Sequence, residues 1–376
     1  MEKVGAYIHI PFCEKKCYYC DFCAFENLEN RIDTYVNDLI KEIKLCRKRM
    51  SLEIDSIYIG GGTPSYIDPV YIKQIYKQLS FFKIDDDIEF TIEVNPNTID
   101  KNKLKIYKEI GINRISIGVE SFNEKILKAI GRNYNKEIVL NDIDLIKNFG
   151  FKNFSIDMML NLPLENKKTI DEDLKILKKI NPNHVSWYTL IIEKGTRFNT
   201  LLKKGKLKLS DDDLVVDRFD YVIKELEKIG IKRYEISNFS KKNYESKHNL
   251  KYWNLEGYIG FGLNSASYIS NRRFQNTASI YKYHKLIEEN KLPIETNEFI
   301  DKNTSIYEYI ILKLRKVEGL SYKSFKEKFD FDIRDKFNDV IEKYKNYKFF
   351  VDDEDRLRFS KKGFNLSNMF FVDIIS

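Results

Sequence analysis

Apolar residues in the first half of the chain fall into six short runs, each closed by a polar, glycine-rich or proline-containing stretch. Runs of this kind are typical of β-strands, and they predict strands at 4–10, 54–59, 88–94, 114–119, 154–160 and 184–192. Between the runs, apolar residues recur at helical spacing, as Val36, Leu39 and Ile43 do. The predicted helices cover 33–50, 69–80, 100–110, 123–130, 135–148 and 168–180.

This alternation of strands and helices favours an α/β fold with a parallel sheet and helices outside it. A flat sheet would leave its edges exposed, so we expect a partial (β/α)6 barrel. In β/α barrels the chemistry lies at the C-terminal ends of the strands. The segments that follow the predicted strands are therefore the candidate site: 11–23, 60–64, 93–96, 120–122, Asp157 and Glu193.

The second half of the chain has a different pattern. A helix predicted at 211–229 leads into an aromatic and polar stretch at 233–276, which contains His-Asn-Leu-Lys-Tyr-Trp at 248–253. Further helices are predicted at 280–290, 303–317, 322–329 and 333–346, followed by a hairpin at 349–359. We therefore expect two domains, a barrel at 1–200 and a mainly helical domain at 201–376.

Composition narrows the function classes. Of the 376 residues, 43% are hydrophobic, which is enough for a large core. The net charge of +7 is small and dispersed, so we expect no nucleic-acid partner. No apolar run approaches the roughly 18 residues of a membrane span, and residues 1–5 do not resemble a signal peptide. We expect a cytoplasmic protein.

Four of the five cysteines lie close together at Cys13, Cys17, Cys20 and Cys23, whereas Cys46 falls on the apolar face of a predicted helix. In a reducing compartment such a cluster indicates a metal or iron–sulfur site. Three thiolates would leave one iron of a 4Fe–4S cluster open to another ligand. A zinc site completed by Cys23 or His9 is the alternative.

The Cys-x3-Cys-x2-Cys spacing after the first strand resembles the radical S-adenosylmethionine superfamily. The segments 7–13, 60–65, 93–96, 114–122, 131–132 and 156–159 are similar to one branch, which contains the anaerobic coproporphyrinogen III oxidases and heme chaperones. Three features favour the chaperones: the short segment before the first strand, Phe22 where the oxidases carry a cysteine, and the His-Asn-Leu-x-Tyr-Trp motif.

The resemblance implies a 4Fe–4S cluster on Cys13, Cys17 and Cys20, S-adenosylmethionine on the open iron, and heme on His248. It places the following residues around S-adenosylmethionine: Tyr7, Tyr19, Gly61, Gly62, Thr63, Glu93, Glu120, Arg132 and Asp157. Simpler alternatives are a tight glycine turn, an Arg132–Glu93 ion pair and a hydrogen-bonded core histidine. Two departures stand out, namely Glu120 where the family has Gln and Ser267 where it has His.

By this resemblance the chain is a heme chaperone that passes heme to respiratory hemoproteins, with peripheral membrane association and a homodimer as further possibilities. Whether it acts as an enzyme is left open. The enzymatic alternatives are oxygen-independent coproporphyrinogen III oxidation, in which a propionate side chain loses CO2, and a related radical methyl transfer. The sequence does not separate productive cleavage of S-adenosylmethionine from binding alone.

Overall fold

A computed structural model describes residues 1–375 and contains one large mixed sheet. Its first six strands run parallel in sequence order. They are β1 (Glu2–Ile10), β2 (Leu52–Gly61), β3 (Lys83–Val94), β4 (Arg114–Glu120), β5 (Asn153–Leu160) and β6 (His184–Thr189). The predicted α/β fold with a parallel sheet is confirmed.

Helices follow the strands on the outside of this curved layer. They are α1 (Ile32–Arg47), α2 (Pro69–Leu79), α3 (Lys101–Glu109), α4 (Glu124–Ala129), α5 (Lys136–Asn148) and α6 (Lys167–Ile180). Asparagine or aspartate side chains cap most of their N-termini, as Asn166 does with the backbone N–H groups of Lys168 and Thr169. These caps explain why each helix begins directly after a loop.

Strand β4 illustrates how the sequence divides the two faces of the sheet. Ile115, Ile117 and Val119 are fully buried in the main hydrophobic core. The alternating residues Arg114 and Ser116, with Gly118 and Glu120 after them, line a cavity on the other face. Because side chains alternate along a strand, one segment supplies both the core and the polar interior.

Six further strands, which the hydrophobic pattern does not predict, extend the sheet at both edges. Before them come α7 (Arg197–Lys203) and α8 (Asp212–Glu227). The additional strands are β7 (Lys232–Arg233), β8 (Asn238–Ser240), β9 (Tyr258–Phe261), β10 (Ala266–Ile269), β11 (Arg272–Asn276) and β12 (Ile294–Phe299). β8 pairs antiparallel with β6, and β9 pairs parallel with β1. The sheet therefore runs past residue 200, and the division into two domains there stays a prediction.

The remaining segments are mainly helical. They are α9 (Lys247–Asn254), α10 (Ile280–Glu288), α11 (Lys302–Leu314), α12 (Tyr322–Phe329), α13 (Ile333–Asn346), α14 (Lys361–Asn365) and α15 (Ser367–Ile375). β13 (Leu320–Ser321) pairs with β14 (Arg356–Leu357), and Phe350 bridges to Phe359 at the predicted hairpin. Most of these helices share a second core, separate from that of the barrel. Within residues 1–375, no helix combines the length and apolarity needed to cross a membrane.

Candidate functional site

A cavity of about 460 Å³ lies inside the curved sheet, and loops after the parallel strands line its mouth. Its volume is in the range of small-molecule sites, roughly 300–1,000 Å³. It brings together most of the residues named from the sequence. Those in its wall are Cys13, Cys17, Tyr19, Cys20, Gly61, Gly62, Thr63, Glu93, Glu120, Arg132 and Asp157.

The three predicted cluster cysteines face this cavity from the loop after β1. Cys13 is buried, and its Sγ lies 3.4 Å from Thr63 Oγ1. Burial raises the pKa of all three thiols, that of Cys20 to about 11. A bound cation would reverse this preference, because metal coordination favours the thiolate. Three thiols turned into one cavity fit an iron–sulfur cluster.

The glycine segment after β2 gives the cysteine loop room to approach. A Cβ on Gly62 would lie 2.8 Å from the Phe12 carbonyl oxygen and 3.0 Å from Cys13 Sγ. Gly61 has a φ of +117°, a conformation that favours glycine. These residues therefore do more than form a tight turn, since a side chain at position 62 would push against Cys13, a predicted cluster ligand.

Within residues 1–375, Cys23 and His9, the two candidates for the fourth ligand of a zinc site, both have other partners. Cys23 Sγ points toward the Ala278 carbonyl oxygen, 3.8 Å away. Both ring nitrogens of His9 are engaged, Nε2 with the Cys23 carbonyl oxygen at 2.7 Å and Nδ1 with the Tyr7 hydroxyl at 3.0 Å. Among residues 1–375, no three His, Cys, Asp or Glu side chains are grouped closely enough to hold a single metal ion.

Glu93 lies at the end of β3 between two donors. The Tyr58 hydroxyl donates to Oε1 at 2.7 Å, and the Gly61 N–H donates to Oε2 at 3.2 Å. Burial nevertheless raises the pKa of Glu93 to about 7. The carboxyl group can thus change its charge near neutral pH, and Tyr58 is a partner that the sequence did not single out.

Arg132 joins the cluster loop to Glu120 through a chain of hydrogen bonds. Asn95 donates to Thr63 at 2.8 Å and accepts from Arg132 at 2.9 Å. Arg132 also donates to Glu120 at 2.7 Å, whereas the alternative Arg132–Glu93 ion pair is absent from the described residues. Arg132 Nε is buried without a hydrogen-bond partner, so the guanidinium retains a donor.

Glu120 occupies an unusual backbone position. Its φ is +64°, a left-handed conformation that few residues other than glycine, asparagine or aspartate adopt. Burial raises the pKa of Glu120, although Arg132 beside it acts in the opposite direction. Strain of this kind is retained where the surroundings fix the residue, and here Arg132 and the end of β4 do so.

Asp157 and Tyr7 hold different positions. Asp157 faces the cavity and accepts from Ser116 Oγ at 2.9 Å and from Ser155 Oγ at 3.2 Å, while burial raises its pKa. Tyr7 does not line the cavity. Its ring stacks on that of Tyr58, with 6.3 Å between centroids, so Tyr7 supports the wall from behind.

His248 lies on α9, beneath the barrel, and is 1% exposed. Its Nδ1 is 2.9 Å from Ser56 Oγ, and its Nε2 is 2.9 Å from the Tyr252 hydroxyl. Burial lowers its pKa to about 3. The ring is neutral and both nitrogens are engaged, so heme ligation by His248 stays a prediction that requires one hydrogen bond to break.

The first turn of α9 is fixed to the barrel by Glu89 of β3. This carboxylate accepts from Ser246 Oγ at 3.2 Å and from the backbone N–H groups of Lys247 and His248 at 3.0 Å each. An anion at a helix N-terminus is stabilised by the free N–H groups there. The histidine motif therefore closes the barrel from below.

Sequence reasoning included Asn95 in the candidate segment 93–96, but it did not single out Tyr58, Arg114, Ser116 or Asn249, which also line the cavity. A signal for two of them was available. Arg114 and Ser116 alternate with apolar residues on β4 and share a face with Glu120. The position of Asn249 in the wall follows from the packing of α9 against the barrel, which no periodicity describes.

Comparison with known proteins agrees with this geometry. A family model described as the radical SAM superfamily matches residues 7–177, and one described as the HemN C-terminal domain matches residues 300–366. The solved structure of coproporphyrinogen III oxidase (HemN) from Escherichia coli superposes with a TM-score of 0.87 at 21% identity, covering 99% of this chain and 89% of that one. Fold and site thus define a radical SAM protein.

Two curated relatives narrow the family. The chain is 36% identical over 340 residues to heme chaperone HemW of Bacillus subtilis, covering 90% of each protein. It is 34% identical over 372 residues to heme chaperone HemW of Lactococcus lactis, covering 98% of this chain and 96% of the relative. The chain belongs to the HemW family.

Proposed function

We propose that this protein is a heme chaperone that holds a 4Fe–4S cluster and S-adenosylmethionine in the barrel cavity and passes heme to respiratory hemoproteins. The observation that carries the proposal is the similarity to HemW proteins along nearly the whole chain. The cavity supports it, because the cysteine loop, the glycine segment and the acidic strand ends meet there. Acceptor identity, membrane association and a homodimer remain predictions.

In this proposal Cys13, Cys17 and Cys20 hold the cluster, and such clusters supply electrons at low potential. The unpaired Arg132 Nε is placed to donate to the carboxylate of S-adenosylmethionine. Glu93, in its ionised form, accepts from an ammonium group or a ribose hydroxyl. The enclosed cavity keeps bulk water away from these contacts.

Heme binding through His248 needs a local rearrangement. The more accessible step is release of Nε2 from Tyr252, which lies one helical turn further along α9. Imidazole is a common axial ligand of heme iron, and the lowered pKa keeps the ring neutral and able to coordinate. The Tyr252 hydroxyl would then compete with heme iron for His248 Nε2.

The test is an anaerobic heme titration of cluster-reconstituted protein followed by the Soret band. We expect saturation near one heme per chain, and binding about tenfold weaker in His248→Ala, a loss of roughly 1.4 kcal/mol. Tyr252→Phe removes the competing hydroxyl and should tighten binding. His284→Ala is the matched control, because His284 is partly exposed and pairs with Asp38 outside the cavity.

A second measurement follows heme transfer to an apo-hemoprotein. Transfer from the loaded protein should be faster than from free heme at equal concentration. Equal rates would contradict chaperone function. If wild type, His248→Ala and Tyr252→Phe bind heme with the same affinity, His248 is not the heme ligand. That result would not decide the chaperone function.

The second candidate is anaerobic coproporphyrinogen III oxidation. The match of residues 300–366 to the HemN C-terminal domain favours it. The assay supplies coproporphyrinogen III, S-adenosylmethionine and a low-potential reductant under strict anaerobiosis. Formation of protoporphyrinogen would establish the oxidase, whereas unchanged substrate beside productive heme transfer would support the chaperone.

A further inference from the structure

Arg114 is a buried cation without a direct partner. It opens β4, and only 1% of its surface is exposed. Its Nε makes no hydrogen bond, and within residues 1–375 no carboxylate lies at ion-pairing distance from its guanidinium. Glu89 and Asp157 act on it only through space. These carboxylates favour the charged form and raise the pKa of Arg114 despite its burial. Its Nε–H, however, has no acceptor, and a buried donor without an acceptor is costly.

Four other buried charges of the barrel have direct hydrogen-bonding partners. Glu89 accepts from the start of α9, Glu93 from Tyr58 and Gly61, and Asp157 from two serines. Arg132 is bonded to Asn95 and Glu120. Arg114 differs from all of them, and it lines the same cavity.

Asn249 supplies a second donor in the cavity wall. It belongs to the first turn of α9, next to His248, and its carboxamide makes no hydrogen bond within the described residues. The nearby hydroxyls of Ser116 and Tyr58 are already committed, the first to Asp157 and the second to Glu93. Apart from the free Arg132 Nε, the uncommitted donors named here are therefore the Arg114 guanidinium and the Asn249 carboxamide.

We propose that Arg114 and Asn249 form a carboxylate-binding subsite at the floor of the barrel cavity, for a small organic acid distinct from S-adenosylmethionine. A guanidinium offers a planar pair of N–H groups that matches a carboxylate. A doubly charged phosphate fits less well, because Glu93, Glu120 and Asp157 line the same cavity and repel added negative charge. For a tetrapyrrole ligand, the group bound would be a propionate.

The test labels arginine with phenylglyoxal in cluster-reconstituted protein under anaerobic conditions and quantifies modified Arg114 by mass spectrometry. The probes are sodium propionate, inorganic phosphate at the same ionic strength, and S-adenosylmethionine. We expect saturable protection of Arg114 by propionate and less by phosphate. S-adenosylmethionine should protect Arg132 and leave Arg114 reactive.

Asn249→Ala extends the test without disturbing the charged interior. Its side chain holds no hydrogen bond in the protein, so the melting temperature should be unchanged. Loss of one hydrogen bond to a carboxylate should raise the half-protecting propionate concentration about tenfold. Asn141→Ala, an exposed asparagine on α5, is the matched control and should not alter protection.

Several results would overturn the subsite. If phenylglyoxal never labels Arg114, the residue is not reachable from the cavity. If Arg114 is labelled to the same extent with every probe, it binds no anion there. Equal protection by phosphate would show a general anion site, and full protection by S-adenosylmethionine would assign Arg114 to the cofactor. The propionate result is independent of heme binding. The subsite can therefore be refuted while the chaperone function stands, and the chaperone function can be refuted while the subsite stands.

Discussion

At the scale of single residues, burial sets the pKa values of the acidic groups that line the cavity. Cys13, Glu93, Glu120 and Asp157 all have raised pKa values because they are removed from water. The pKa of Glu93 is about 7, so physiological pH divides its two forms. Ordinary changes of pH therefore alter the charge of Glu93 within the cavity.

We expect S-adenosylmethionine to bind more tightly as the pH rises from 6 to 8. The anionic form of Glu93 prevails above its pKa and is lost below it, so at pH 6 about a tenth of the molecules carry the anion. The loss in affinity would approach tenfold. Equilibrium dialysis of cluster-reconstituted protein measures it, and an equally steep dependence in Glu93→Gln would contradict this origin.

At the scale of elements, the end of β2 and the loop after β1 fit together closely. Gly62 donates its N–H to the Ile10 carbonyl oxygen at 2.8 Å, which aligns the glycine segment with the start of the cysteine loop. The space beside Gly62 is filled by Phe12 and Cys13. Local spacing of cysteines and packing of a neighbouring strand thus act together on one site.

Gly62→Ala should impair cluster assembly more than it impairs folding. Overpacking of this kind costs about 1–3 kcal/mol, and here the movable neighbour is the cysteine loop. Iron and acid-labile sulfide per chain after anaerobic reconstitution give the readout. Gly195→Ala is the control for general destabilisation: its φ of +87° makes alanine strained there, but nothing lies within 4 Å, so stability should fall while cluster content stays full. Full cluster content in Gly62→Ala would refute the packing argument.

At the scale of the whole molecule, the second half of the chain completes the barrel. Glu42 of α1 connects the two, since it accepts from Gly262 N at 2.8 Å, Asn276 Nδ2 at 2.6 Å and the Tyr283 hydroxyl at 2.5 Å. Burial raises its pKa to about 7. One buried carboxyl group thus joins the first helix to β11, α10 and the loop after β9.

Glu42→Gln should lower the free energy of unfolding by about 1–3 kcal/mol at pH 6, where the carboxyl group is mostly neutral. The loss should be smaller at pH 8, because a pKa raised by folding means that ionisation of the buried carboxyl lowers the stability of the wild type. Three donors converge on this group, and an amide would turn its own NH2 toward at least one of them. Urea unfolding measures the loss. Glu137→Gln, at an exposed position on α5, should change stability by less than about 0.5 kcal/mol; a similar loss there would contradict the assignment.

The sequence alone determined the parallel strands, most of the helices and the residues that meet at the cavity mouth. These features follow from local periodicity and from the rule that parallel strands end at the same edge. Only the tertiary structure decided which strands extend the sheet beyond β1 and β6. The added strands β7 and β8 are too short to carry a periodic signal. β8 pairs with β6 and β9 pairs with β1, which both lie much earlier in the sequence.

The same division holds within the site. Cysteine spacing and glycine content are local properties, and they identified the loop at Cys13 and the segment at Gly62. The environment of a side chain is not local. His248 has both nitrogens engaged, whereas Arg114 has no direct partner, because residues from distant strands and helices surround each of them. The sequence therefore specifies which chemical groups the site contains, and tertiary packing determines which of these groups are free to bind a ligand.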